Sequence, residues 1–145
     1  MDTGPTETIE FEGHPNVLAT HRSTLEVTTE THLSRRGDCI VGIAAQKGAA
    51  GLSEDLKRHI RGGGRLAFEL RVGGLSFRFE GWGSSGLELS DATSMVIRRS
   101  AFLSPRTVAI RSTAAAADVP REIVAELRKG RRGLLLIRAL PGRPA

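Results

Sequence analysis

The 145-residue chain contains no tyrosine, one tryptophan, one cysteine and two methionines, so five phenylalanines supply most of its aromatic content. Each scarcity closes off a class of function. One cysteine excludes an intramolecular disulfide framework and fits a reducing compartment. So few aromatics, mostly on the apolar phases of the pattern, argue against a platform on which nucleic-acid bases would stack. No apolar run reaches the ~18 residues of a membrane-spanning helix, and the acidic start lacks the basic and apolar regions of a secretory signal. The chain is therefore read as cytosolic, with no membrane partner. Phosphate-loop and dinucleotide fingerprints are missing as well.

What is present is charge, unevenly placed. The net charge is +5, yet residues 1–34 carry six acids against Arg22, while residues 98–145 carry eleven bases against Asp118, Glu122 and Glu126. A basic second half of this kind fits either a solvated face or an anionic partner.

Alternation and glycine placement give the architecture. Thr8–Glu12 and Thr24–Thr28 alternate as half-buried strands, and Cys39–Ala45 is apolar enough for a strand covered on both faces. Ser53 caps a helix in which Leu52, Leu56 and Ile60 recur every fourth residue until Gly62-Gly63-Gly64 ends it. Leu66–Val72 and Leu75–Phe79 flank Gly73-Gly74, a pair suited to a tight hairpin. Met95 and Ile97 mark a further strand, and Thr107–Ser112 another. Asp118 or a neighbour caps a helix opened by Val119-Pro120 with Ile123 and Leu127 on its stripe, and Gly133–Leu140 closes the pattern. Residues 1–7 read as a frayed end and residues 141–145 as a tail.

The chain also matches itself. Phe11-Glu12-Gly13-His14 returns as Phe79-Glu80-Gly81-Trp82, and Leu52/Leu56/Ile60 returns as Val119/Ile123/Leu127 with Gly63 matched by Gly130. This predicts one α+β domain over residues 1–145 built by internal duplication of a β-β-β-α-β unit. Repeat one spans about residues 8–72 and repeat two about residues 75–140, joined by the Gly73-Gly74 hairpin. The sheet is expected to be mainly antiparallel and pseudo-two-fold, and the pattern is compatible with an open sheet or a barrel.

Reactive side chains concentrate between Gly13 and Lys47. His14 and His21 are candidate proton-transfer groups, with Glu26 and Asp38 as carboxylates to orient them, because a neutral imidazole exchanges protons near pH 7 when a carboxylate fixes its tautomer. A metal site on His14, His21 and Cys39 is not expected, since the gap between the histidines matches no tight zinc spacing. Cys39, opening a buried strand, reads as packing rather than as a nucleophile. Anion binding is the most economical reading. Asn16, Arg22, Thr24, Lys47, Arg98, Arg99 and Arg106 are the candidate ligand-binding residues, in a cleft formed by the Gly13–Glu26 loop, the Arg36–Cys39 turn and Lys47. The alternative is an RNA-binding accessory protein whose Arg98, Arg99 and Arg106 contact phosphates. The residues specify neither a cofactor nor a reaction, nor an oligomeric state.

Gly13-His14-Pro15-Asn16, Ala19-Thr20-His21, Thr24-Leu25-Glu26, Arg36-Gly37-Asp38-Cys39-Ile40, Ala45-Gln46-Lys47, Arg98-Arg99-Ser100 and Arg106-Thr107 together resemble the archaeal family known as domain of unknown function 371. The resemblance covers nearly the whole chain. It implies a small archaeal protein of α+β fold with a duplicated core, and it carries no activity with it. The chain departs from the family pattern at Gln46, where an acid is expected, at Trp82-Gly83-Ser84, where something nearer a second Gly-His-Pro is expected, and at Ser112-Thr113, where a second acid-lysine pair is expected.

Overall fold

Alternating residues form the strands, and the computed structural model, which describes residues 4–141, arranges eight of them in two four-stranded sheets. The order is β1 (Thr6–Glu12), β2 (Thr24–Thr28), β3 (Ile40–Gly42), α1 (Glu54–Arg61), β4 (Arg65–Val72), β5 (Leu75–Trp82), β6 (Ser94–Arg98), β7 (Thr107–Ala109), α2 (Arg121–Arg128) and β8 (Arg132–Leu140). A single 3-10 turn precedes each helix, at Ala49–Gly51 and Ala116–Asp118. The larger sheet runs β1-β8-β4-β5 and is antiparallel throughout. The smaller runs β3-β2-β6-β7, with an antiparallel β2–β6 centre and a parallel strand on each edge. This is an α+β fold of mostly antiparallel sheet, and it is not a barrel. Among the described residues only isolated bridges, Glu12 to Ile43 and Trp82 to Ile110, join the two sheets, and neither continues into a ladder. No helix among the described residues is long and apolar enough to cross a membrane.

Local chemistry sets the element ends. Ser53 Oγ accepts the Leu56 N–H at 3.2 Å, and Glu54 and Asp55 follow where the helix dipole favours acids. Asp118 does not cap α2 as the sequence suggested. Its carboxylate accepts the Ala115 N–H at 2.8 Å within the preceding turn, and Pro120 occupies the N-cap of α2. The β4–β5 hairpin turns at Gly73-Gly74, and Gly73 takes the positive φ of 63°. The third strand is shorter than its apolar run, because Ala44 adopts φ 50° and breaks the extended backbone. At the N-terminus, β1 begins at Thr6, and Pro5 O accepts the Ala139 N–H at 2.9 Å, so the fraying expected through Glu7 does not extend that far. Residues 1–3 and 142–145 of the expected ends lie outside the described residues.

The core fills the space between the sheets and helices. Ile9, Phe11, Leu66, Phe68, Leu70, Leu135 and Ile137 of the large sheet meet Leu25, Val27, Met95 and Ile97 of the small one, together with Leu56, Ile60, Ile123 and Leu127 of the helices. Burying each such large side chain contributes about 1.5–3 kcal/mol relative to exposure. Gly13 marks a close approach: a Cβ there would lie 2.1 Å from Leu127 O, at the end of α2. Gly83 passes Ile60 O at the end of α1 in the same manner, at 2.0 Å. Trp82 bridges to Ile110 as Glu12 bridges to Ile43.

Candidate functional site

All five residues of β2 are buried, including the polar ones on its outward face. Leu25 and Val27 point into the core, so alternation sends Thr24, Glu26 and Thr28 to the other side, beside Arg98, Val96 and Ser94 of β6. Glu26 is therefore a carboxylate on a covered face, with a side chain 9% exposed. Such a group needs partners. The Cys39 thiol donates to Glu26 Oε1 at 3.4 Å, and the Cys39 carbonyl accepts the Glu26 N–H at 2.9 Å. Arg106 Nη1 stands 3.9 Å from Glu26 Oε2, an ion pair in range but beyond direct hydrogen-bond reach.

Arg98 completes the group. Its Nε donates to Thr107 Oγ1 at 2.7 Å and its Nη2 to Ser104 Oγ at 3.3 Å, and the Phe102 ring lies 4.9 Å from the guanidinium carbon. Burial first and the charge of Arg106 second pull the Arg98 guanidinium below its ordinary range, with Glu26 opposing. Cys39 is affected by the same surroundings: burial first, then Glu26, push its thiol from 9.0 up to about 11. It is a protonated donor at neutral pH and not a nucleophile.

The two histidines serve their own loops. His21 Nδ1 accepts the N–H groups of Ser23 and Thr24 at 3.1 Å each, with Thr24 Oγ1 also 3.1 Å away. His14 Nδ1 accepts the Asn16 N–H at 3.0 Å. Amide donors on Nδ1 assign the ring proton to Nε2 in both. The expected carboxylate–imidazole couples do not form: among the described residues neither Glu26 nor Asp38 bonds to either ring through its side chain, and the Asp38 carbonyl instead accepts the N–H groups of Thr20 and His21 at 3.0 and 3.3 Å. Asn16 is also structural, donating from Nδ2 to Leu33 O at 2.8 Å.

The structure thus gathers His21, Thr24, Glu26, Asp38, Cys39, Arg98 and Arg106 around one face of the small sheet. Lys47 is drawn elsewhere, to Glu7 of the large sheet at 2.8 Å. Arg99 is committed to Asp118, 2.6 Å away. Arg22 is exposed and makes no hydrogen bond or ion pair among the described residues. Ser104 is not among the candidate residues, and Thr107 enters only through the Arg106-Thr107 motif; their hydroxyls hold Arg98 and lie 2.8 Å apart. Their short polar side chains carry no spacing signal; only the fold places them under a guanidinium. Among the described residues no three His, Cys, Asp or Glu side chains converge as a metal ion requires.

Residues 9–140 match the family model described as a domain of unknown function, DUF371. The chain belongs to the DUF371 family. An uncharacterised protein of the archaeon Methanocaldococcus jannaschii is 41% identical over 123 residues, covering 85% of this chain and 91% of that relative. Membership of DUF371 bears out the resemblance read from the motifs. In this DUF371 chain those motifs do two separate jobs: Gly13-His14-Pro15-Asn16 ties a loop to the end of α2 and to Leu33, whereas Thr24-Leu25-Glu26, Asp38-Cys39 and Arg106-Thr107 supply the polar group around the buried Glu26.

Proposed function

We propose that this DUF371 protein binds a small protonated oxyanion, of the phosphate type, on the outward face of the small sheet. The observation that carries the reading is the 3.9 Å separation of the half-exposed Arg106 Nη1 from Oε2 of the covered Glu26. Neither group satisfies the other, so both keep hydrogen-bonding capacity for a third partner. A hydrogen phosphate group supplies both complements at once: its charged oxygens face Arg106 and Arg98, and its P–O–H donates to Glu26. Thr24 adds a neutral hydroxyl, and His21 offers its Nε2–H at the edge. Arg98 and Arg106 face the carboxylates of Glu26 and Asp38, so the anion is held by directed guanidinium donors and not by a net positive charge, while Glu26 selects one that still carries a proton. No chemical step is assigned.

The same reading takes the two halves of the chain as copies of one β-β-β-α-β unit of a single domain. It is supported by shared local bonding: His14 Nδ1 and Ser84 Oγ each accept the N–H two residues on, and His21 Nδ1 and Asp91 Oδ2 each accept those two and three residues on. The anion group then belongs to one copy of β2 and the neighbouring β6–β7 segment of the other. RNA binding is less favoured, because two of the three arginines it would use, Arg98 and Arg99, are engaged internally, as are several other bases of the second half. Arg99 pairs with Asp118, Arg121 donates to the carbonyls of Leu18 and Ala19, and Lys129 and Arg131 pair with Glu126.

Calorimetric titration with inorganic phosphate tests the proposal. Arg106→Gln is expected to weaken binding about tenfold, the worth of one charge-assisted bond. Binding that is unchanged by Arg106→Gln, or absent in the unmodified protein, would overturn it.

A further inference from the structure

The outward face of the large sheet holds a cavity of about 670 Å³, within the range of small-molecule sites. It is separate from the group around Glu26. Register explains its lining. Thr8 of β1 pairs with Leu136 of β8, Leu136 with Glu69 of β4, and Glu69 with Arg78 of β5, so these four form one row across the sheet. Arg138 and Arg71 stand in the rows on either side.

The charges in this cavity are unbalanced. Glu69 is only 8% exposed in its side chain although it lies on an open sheet face, because arginines surround it. Arg71 Nε donates to its Oε2 at 2.8 Å, while Arg78 Nε approaches Oε1 only to 3.5 Å. The Arg71 hydrogen bond first, then the charges of Arg71, Arg78 and Arg138, hold the Glu69 carboxyl below its usual range. At the rim, Glu7 is committed to Lys47 and the Ser53 N–H, and Glu80 to Arg65. Three guanidinium groups therefore share one carboxylate, and Arg138 donates to no partner among the described residues.

We infer that this cavity is a second binding site, for a small phosphate monoester. A surplus of two positive charges matches the dianion that such a group carries above its second pKa near 6. Arg78 and Arg138 are the free forks for its oxygens, since Arg71 is held by Glu69. Leu136 gives the organic part an apolar floor and Thr8 a hydroxyl beside it. Glu69 keeps the arginines gathered and competes with the incoming anion.

The test uses phenyl phosphate on the full chain at mildly alkaline pH, read by the Nε–H signals of individual arginines in ¹⁵N NMR so that the two sites are told apart. Saturable shifts are expected at Arg78 and Arg138, with none for phenol. Arg138→Gln, an exposed change, should weaken binding about tenfold. Glu69→Gln should strengthen it severalfold while the Arg106 signal stays as it was; the thermal midpoint checks that this variant is folded. The inference fails if Arg78 and Arg138 show no saturable shift, if Arg138→Gln changes nothing, if phenol binds as well as phenyl phosphate, or if a short RNA binds here and phenyl phosphate does not.

Discussion

His21 and Asp91 hold their turns with the same bonds: His21 Nδ1 accepts the N–H groups of Ser23 and Thr24, and Asp91 Oδ2 accepts those of Thr93 and Ser94 at 3.2 and 2.7 Å. An imidazole and a carboxylate are thus interchangeable as acceptors at the entrance to a strand. His21→Asp is expected to keep thermal stability close to that of the parent, and His21→Ala to lose about 1 kcal/mol, as for other lost caps. Urea unfolding of the two variants checks this. If His21→Asp also keeps full phosphate affinity, the Nε2–H donor has no part in binding.

Cys39 makes stability depend on alkali. Its thiol ionises near 9.0 when exposed and near 11 in the fold, so between those values only the unfolded chain gives up the proton. Stability from this group is complete below about pH 9 and declines as pH rises toward 11. The loss expected across that window is roughly 2 kcal/mol at most, because the group is only partly buried. Cys39→Ser should flatten the decline, measured by urea unfolding at about pH 8.5 and about pH 10.5. Alkylation of Cys39 at neutral pH should be slow in the folded protein and fast in denaturant.

Gly13→Ala tests the loop before the site. Its new Cβ would meet Leu127 O at 2.1 Å and the Leu127 carbonyl carbon at 2.8 Å, both backbone atoms that cannot turn aside. A loss of about 1–3 kcal/mol is expected from such overpacking, seen as a lower denaturant midpoint. Gly74→Ala, where a Cβ meets nothing within 4 Å, is the matched control and should cost little.

Much of the fold was legible because it rests on local periodicities. Thr24–Thr28 was read with the bounds it has, and the Ser53 cap and the Gly73-Gly74 hairpin follow from residue chemistry alone. Asp118 was misread because an acid ahead of a helix resembles a cap, whereas here the 3-10 turn and Arg99 claim it. The division into two sheets was not legible, since a strand pattern records which face is apolar and not which strand lies beside it. The site was partly legible. Thr24, Glu26, Asp38, Arg98 and Arg106 do share one face, but Lys47 and Arg99 are taken by Glu7 and Asp118, partners that only tertiary pairing brings near. The histidines looked like acid–base groups because composition cannot reveal that their Nδ1 atoms are already occupied.

Asp118 also gives an acid-side expectation. The Arg99 hydrogen bond first, and the Ala115 N–H second, hold its carboxyl below the ordinary 3.8. A lowered folded value means that the stability is present above the unfolded value and is lost as pH falls through the folded one. Asp118→Asn should therefore shrink the drop in the unfolding midpoint on acidification, while leaving the alkaline limb set by Cys39 unchanged.

The most direct test compares two tetrahedral anions. Inorganic phosphate near neutral pH carries a proton that can face Glu26, whereas sulfate carries none and sets its charge against that carboxylate. Titrations followed at the Nε–H signals of Arg98 and Arg106 should saturate with phosphate and require at least about tenfold more sulfate. Equal response of those two arginines to both anions, or no saturable response to phosphate, would contradict a proton-selective oxyanion site at Glu26.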